Sequence, residues 1–361
     1  MKNHTRISSR VAITNVRIFI AISLLAVIIL AAGNYLLGDQ IRAINSITKL
    51  QERLFYMEYR GGYGLADFLK QGGASSDKEL TEFLTRFFTK GIYKYKAPEE
   101  LIDGCSTIAA QLPGGGYGFG RNFDLDECSA LIVRTVPQDG YASISTTNLK
   151  FLGFSRDVAA PGFMDKFRML ASVFAPLDGM NEKGLCVAVL VIKHSEQTNQ
   201  STERPDLTTT AAVRLLLDRA ANVEEALELL SQFDMHASAD SDYHFAISDA
   251  SGRSVVVEYI KNEMYVLDVP VVTNHFLNPG AYYRVGSGSS SMQRYQLLTE
   301  HLAAGNGILS HKELKSALAA AVQQGNISTQ WSIVYDQSAL QLVFYHLQDF
   351  DHPLYFDFSS Q

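Results

Sequence analysis

Cysteine and tryptophan are scarce in this chain of 361 residues, with three of the first and one of the second. Three cysteines allow at most one disulfide, for which Cys128 and Cys186 are candidates, and leave a free thiol. There is no HExxH, no CxxC pair, no Walker A sequence and no GxSxG. The Gly286-Ser287-Gly288 stretch lacks the third glycine of a dinucleotide fingerprint. The nine histidines are scattered, none at metal-ligand spacing. Neither a metal nor a cofactor is therefore expected. Repeats at solenoid periods and low-complexity tracts are also missing. What is present is ample apolar material, 47% of residues, so a core can form without disulfide or metal staples. The net charge of −7 is unevenly spread. Residues 1–104 carry 14 Lys+Arg against 10 Asp+Glu, and residues 105–361 carry 17 against 28. So acidic a second portion argues against nucleic acid as a partner.

Residues 1–17 form a basic tail with Lys2, Arg6, Arg10 and Arg17, and residues 18–38 contain no charge at all. An uncharged run of that length fits one transmembrane helix, with the basic flank retained in the cytoplasm. A cleaved signal peptide is the rival reading. The run is longer than a usual signal core, and a small-x-small cleavage site is poorly defined around Ala31–Gly33. The expectation is a single-pass anchor at 18–38 in the cell membrane. Either reading places the bulk of the chain on the extracytoplasmic side. Residues 39–104 read as amphipathic helix: Ile44, Ile47, Leu50 and Leu54 recur at helical steps, as do Leu80, Phe83, Leu84 and Phe87. With turn signals at Gly61–Gly62 and Gly72–Ser76 and no catalytic constellation, this segment is expected to be a spacer or pro-region.

From Cys105 the texture changes. Short β-rich runs at 106–111, 117–123, 130–136 and 141–146 include a hairpin signal, Gly114–Gly116. Helical patterns follow at 164–174 and 208–233, the second capped by Thr208–Thr210 and broken near Asn222. Strands at 244–248, 254–259, 264–267 and 271–274 precede helices at 290–303 and 311–323 and strands at 329–335 and 340–346. The order predicts an α+β domain over 105–361, two antiparallel sheets with helices packed on them.

Cys105 follows Gly104, sits at the charge step and opens the first strong strand. Arg121 and Asp124 lie on the strand that returns across the Gly114–Gly116 hairpin, which can bring both beside Cys105. A guanidinium favours the thiolate, the form that acts as nucleophile. If the bond before Cys105 is cut, its freed α-amine, with an ordinary pKa near 8, can take the thiol proton. A carboxylate such as Asp124 can orient that amine.

The stretches Cys105-Ser106-Thr107-Ile108 and Phe119-Gly120-Arg121-Asn122-Phe123-Asp124 resemble the start of mature linear-amide C–N hydrolases. That family contains choloylglycine (bile-salt) hydrolases, penicillin V acylases and isopenicillin N acyltransferases, N-terminal-nucleophile enzymes. The likeness continues in family order through Asp178-Gly179-Met180-Asn181-Glu182-Lys183-Gly184-Leu185, His244–Asp249 with Ser254–Glu258, Val272-Thr273-Asn274 and Thr329-Gln330-Trp331. The resemblance implies an αββα sandwich, autocatalytic exposure of Cys105 and a thioacyl-enzyme. By position, Cys105 would be the nucleophile, Arg121 and Asp124 would hold the charged N-terminal cysteine, and Asn274 would donate its amide to the oxyanion. Arg294, in Ser291-Met292-Gln293-Arg294-Tyr295, matches the family's late arginine, and Asn181 is a candidate substrate-binding residue. One departure stands out. Bile-salt hydrolases have a second asparagine where this chain has Val191, which argues against a near bile-salt hydrolase relative.

These observations predict cleavage of a small-molecule N-acyl amide. An acyltransferase on the same fold, an unprocessed thiol hydrolase using His244 or His275 as base, and a catalytically idle binding module are the competing readings.

Overall fold

From the end of the uncharged run the chain is helical over 37–46 (α1), then forms strands Thr48–Gln51 (β1) and Leu54–Arg60 (β2) and helices Leu65–Lys70 (α2) and Asp77–Thr89 (α3). The computed structural model describes residues 37–91, 93–95, 104–155, 158–192, 196–286 and 288–358. Nearly all of the expected anchor at 18–38 lies outside the described residues. Among the described residues no helix is long and apolar enough to cross a membrane.

The first sheet strands correct the expectation that 39–104 is a helical spacer. In β2, Leu54, Phe55, Met57 and Tyr59 are buried while Tyr56 and Glu58 are partly exposed, close to the period-two pattern of a half-buried strand. The helical steps of Ile44, Ile47, Leu50 and Leu54 masked it. β2 pairs in parallel with Ala130–Val136 (β5), from Leu54 opposite Ala130 to Arg60 opposite Val136. The helical expectation for Leu80, Phe83 and Leu84 holds: these residues are the buried face of α3. Phe68 and Phe83 pack on Phe174, so this segment shares one core with the rest of the chain.

Gly104–Gln111 (β3) and Tyr117–Leu125 (β4) form the hairpin across Gly114–Gly116. After β5 come Ser143–Asn148 (β6), helix Phe163–Met169 (α4), Asp178–Asn181 (β7) and Cys186–Ile192 (β8). Every residue of β8 is buried, so no alternation marks it in the sequence. Asp206–Thr208 (β9) and Asp234–His236 (β10) make a small parallel pair around helices Thr209–Arg219 (α5) and Val223–Ser231 (α6). The break expected near Asn222 is there. Asn222 caps α6 by accepting the Glu225 N–H. Thr208 sits at the N-cap of α5, but its hydroxyl makes no cap bond, so the expected threonine cap is positional only.

Asp242–Ser248 (β11), Ser254–Ile260 (β12), Glu263–Asp268 (β13) and Val271–Val272 (β14) follow, then Gly288–Ala304 (α7), His311–Ala320 (α8), Ser328–Asp336 (β15), Gln341–His346 (β16) and Leu354–Asp357 (β17). The strands assemble into a nine-stranded sheet, β1-β2-β5-β6-β7-β8-β11-β12-β13, and a six-stranded sheet, β14-β3-β4-β15-β16-β17. Apart from β2–β5, the pairings within both sheets are antiparallel. The sheets face each other: Arg121 on β4 donates to the Val189 carbonyl of β8, and Trp331 on β15 to Asp178 of β7. Helix α5 lies on β7 and β8, while α7 and α8 lie on β3, β4 and β15. This is the expected helix–sheet–sheet–helix order. The candidate disulfide is absent: Cys105, Cys128 and Cys186 are all free and buried.

Candidate active site

In the β3–β4 register Gly104 faces Asp124, Cys105 faces Phe123 and Thr107 faces Arg121. Arg121 and Asp124 are three residues apart, so they leave opposite faces of the strand. That divides the work expected of them. Arg121 turns inward between the sheets, where its guanidinium faces the Cys105 thiol and donates to the Val189 and Asn122 carbonyls. Its charge is met by Asp178 at 3.4 Å, and Asp178 is itself held by Trp331 Nε1 at 3.0 Å and Tyr335 Oη at 3.2 Å. Asp124 turns the other way, beside the Gly104–Cys105 backbone. Its carboxylate accepts from Thr329 Oγ1 at 2.6 Å and Gln323 Nε2 at 2.8 Å and lies 3.6 Å from Arg294 Nη1.

The other edge of β3 explains Asn274 and Arg294. Strand β14 pairs with β3 only at Ile108 and Thr107, then departs. Two side chains replace the missing strand at Cys105. Asn274 Oδ1 accepts the Cys105 N–H at 2.7 Å, and Arg294, on α7, donates to the Cys105 carbonyl. Arg294 Nη2 also donates to Asn274 Oδ1 at 2.9 Å, which locks the two together. The sequence expectation pointed the Asn274 amide nitrogen at the reacting centre. Here it is the oxygen that faces Cys105, and Nδ2 donates to the Val191 carbonyl at 2.8 Å. Val191, unable to offer a side-chain donor, thus contributes through its backbone.

Cys105 is only 1% exposed. Burial pushes its thiol up, and the opposing pull of Arg121 does not bring it back to its ordinary value. With the Gly104–Cys105 peptide intact the site therefore holds a protonated thiol. A Cβ at 104 would lie 2.0 Å from Gln323 Nε2 and 3.0 Å from Asp124 Oδ2, so a larger residue there must push the Gln323 amide aside.

The structure thus brings Cys105, Arg121, Asp124, Asn274 and Arg294 together. Asn181 does not join them. Its Nδ2 donates to the Leu217 and Ala220 carbonyls, and its Oδ1 accepts from the Lys183 and Leu185 N–H groups. With both polar atoms of its side chain bonded, one to the end of α5 and one within the β7–β8 turn, it has nothing left for substrate, and the substrate-binding expectation is corrected. The two histidines considered as bases bond elsewhere: His244 pairs with Glu258, and His275 bonds Ser291 and Thr273. Asp178, Gln323, Thr329 and Trp331 are framing residues for which sequence reasoning gave no role. Asp178, Thr329 and Trp331 lie within recognisable motifs; Gln323 carries no local signal. Among the described residues no group of side chains is arranged to hold a metal ion.

The model of the linear amide C–N hydrolases, choloylglycine hydrolase family, matches residues 105–310, and so starts at Cys105. A bile salt hydrolase/transferase from Clostridium perfringens is 28% identical over 217 residues, 55% of this chain and 63% of that protein. Penicillin V acylase from Pectobacterium atrosepticum is 32% identical over 99 residues, 25% of this chain and 26% of that protein. The chain thus spans less than two thirds of either relative. In fold, a mutant conjugated bile acid hydrolase from Clostridium perfringens superposes with a TM-score of 0.52 at 17% identity, covering 70% of this chain and 92% of that one. Penicillin V acylase from Agrobacterium tumefaciens gives 0.50 at 20% identity, covering 71% and 86%. The family match extends over more than half of the sequence, so the chain belongs to the linear amide C–N hydrolases of the choloylglycine hydrolase family.

Proposed function

We propose that the protein is a cysteine-nucleophile hydrolase of a non-peptide linear amide, and that it cuts its own chain between Gly104 and Cys105. The observation that carries this reading is the setting of the Cys105 nitrogen. It lies against Asn274 Oδ1, with the Arg294 and Asp124 charges beside it, while the thiol of the same residue faces Arg121. Asn274 Oδ1 satisfies the buried N–H where β14 is missing, and with the Asp124 carboxylate nearby the same pocket suits an α-amine that must be held and oriented.

In processing, the Cys105 sulfur adds to the Gly104 carbonyl carbon, the C–N bond breaks and the proton passes to the nitrogen, leaving a thioester and a free α-amine. Water then releases the Gly104 carboxylate and regenerates the thiol. In turnover the amine takes the thiol proton and the sulfur attacks the substrate amide carbon. The protonated amine returns that proton to the leaving nitrogen, and water cleaves the thioester. Arg121 supports the thiolate, while Asp124, held by Thr329 and Gln323, steadies the amine in its charged form.

Intact mass and N-terminal sequencing test the proposal. A fragment beginning at Cys105, absent in Cys105→Ala, supports it; an intact chain with full amidase activity overturns it. A relative named both hydrolase and transferase supports a second outcome, passage of the acyl group to an amine acceptor, which product analysis with added amines distinguishes. The same proposal puts residues 18–38 in a membrane with residues 105–361 outside the cytoplasm. Its support is the uncharged stretch between Arg17 and Asp39, and it fails if alkaline carbonate releases the full chain from membranes.

A further inference from the structure

A buried imidazole and carboxylate meet beside the segment that follows Asn274. His244 on β11 and Glu258 on β12 have fully buried side chains, with Nδ1 3.1 Å from Oε1. The carboxylate does more than meet the imidazole. Oε1 accepts the Leu277 N–H at 2.7 Å and Oε2 the Asn278 N–H at 3.0 Å. Burial alone would push the Glu258 carboxyl up; His244 and the two backbone donors outweigh it and leave the group below its ordinary range. The His244 ring also packs at 5.5 Å against Phe276, whose carbonyl accepts the Arg284 N–H. The residues so gripped are the three that follow His275, next in sequence to Asn274.

The front of the segment is fixed separately. The Asn274 N–H donates to Ser291 Oγ at 2.9 Å, and Ser291 stands one turn before Arg294 on α7. At Gly286 a Cβ would lie 2.2 Å from the Asn274 carbonyl, so the returning arm of the loop is pressed on the same residue. The segment is thus fixed at two points: at Asn274 itself by α7, and three and four residues further on by the Glu258 carboxylate.

We propose that Glu258, paired with His244, is a positioning residue that sets the depth at which Asn274 meets the Cys105 nitrogen. The proposal rests on the catalytic reading of Cys105. Glu258→Gln keeps the volume but turns an NH2 group toward one of two backbone donors, so the segment shifts while the fold persists. A displacement of about 1 Å at a reacting group costs on the order of 10²-fold in rate. Glu258→Gln should lower kcat about 10- to 100-fold with KM nearly unchanged, and should speed amide hydrogen exchange at Leu277 and Asn278. His244→Gln should do the same in smaller measure. The double variant should be no slower than the worse single one, because the pair acts as a unit. If Glu258→Gln does not fold, His244→Gln carries the same readouts.

Wild-type kcat in a folded Glu258→Gln enzyme overturns the proposal, as does a loss confined to KM. Failure of the catalytic reading looks different: the wild-type chain shows no Cys105-dependent turnover. In that event exchange at Leu277 and Asn278 and the rate of Cys105 alkylation by iodoacetamide are compared between wild type and Glu258→Gln. Both faster supports the positioning role; either unchanged overturns it.

Discussion

The oxygen of Asn274, not its nitrogen, meets the backbone N–H of Cys105, at 2.7 Å. The carboxamide bridges that N–H and the Val191 carbonyl, so its two ends do different work. Asn274→Ala removes both and should lower turnover by about 10²-fold, the scale expected when a reacting group is displaced by about 1 Å. Asn274→Asp keeps the acceptor and loses the donor. The observed orientation predicts that it retains clearly more processing than Asn274→Ala, measured as the rate at which the new N-terminus forms. Equal rates would assign the work to the nitrogen instead.

Gly104 is pinned between Gln323 and Asp124. Gly104→Ala should slow cleavage before Cys105 by about an order of magnitude, because a Cβ 2.0 Å from Gln323 Nε2 displaces either that amide or the 104–105 peptide. Gln323→Ala in the same chain removes the obstructing amide and should restore much of the rate. A time course of the two fragments on a denaturing gel reads both.

After cleavage, residues 37–95 should remain bound. β2 pairs with β5 along seven residues, and Phe68 and Phe83 are buried on Phe174. Fragments that separate under denaturing conditions should therefore co-migrate under native ones. A chain expressed from Cys105 alone should be insoluble, as it exposes the β5 edge and the surface under α3. A soluble, active 105–361 fragment would count against a structural role for 37–95.

Asn181→Ala should destabilise the protein by about 2 kcal/mol or more, since three buried backbone groups and one partly buried one lose their partner. KM should stay at the wild-type value. Urea unfolding and steady-state kinetics on the same variant check both halves; a raised KM at unchanged stability would restore the substrate-binding role.

Stability should fall on acidification from pH 6.5 toward 4. Burial pushes His275 and His346 down to about 4, so both are neutral in the folded chain and ordinary in the unfolded one. Below pH 6.5 the unfolded state binds their protons first, and each histidine then costs up to about 3 kcal/mol by pH 4. His346 exchanges a hydrogen bond with Gln51 at 3.1 Å and stands on β16, two strands beyond the β3–β4 hairpin. His346→Gln should flatten part of the pH dependence without changing turnover, as read from urea midpoints at pH 7 and 4.5.

Much of this molecule is legible in one dimension. The hairpin at Gly114–Gly116 and the spacing of Arg121 and Asp124 from Cys105 are local features, and local features survive in sequence because a turn and its strands are set by neighbours. The family motifs, in order, carried the two-sheet architecture and five of the residues at Cys105. Strand β8 stayed invisible because a strand buried on both faces has no alternation to read, and β2 was hidden by apolar spacing that fits a helix nearly as well.

What the sequence alone determined is the identity of the groups that meet at Cys105: a cysteine after a glycine, a guanidinium, a carboxylate, an asparagine and a late arginine. Their directions were decided only by the tertiary structure. Strand parity sent Arg121 to the thiol and Asp124 to the backbone, and the early departure of β14 left an edge for Asn274 and Arg294 to fill. The fold also gave Asn181 to a turn and residues 48–60 to a sheet. Such outcomes depend on which surfaces meet across long separations, and no stretch of sequence carries that information by itself.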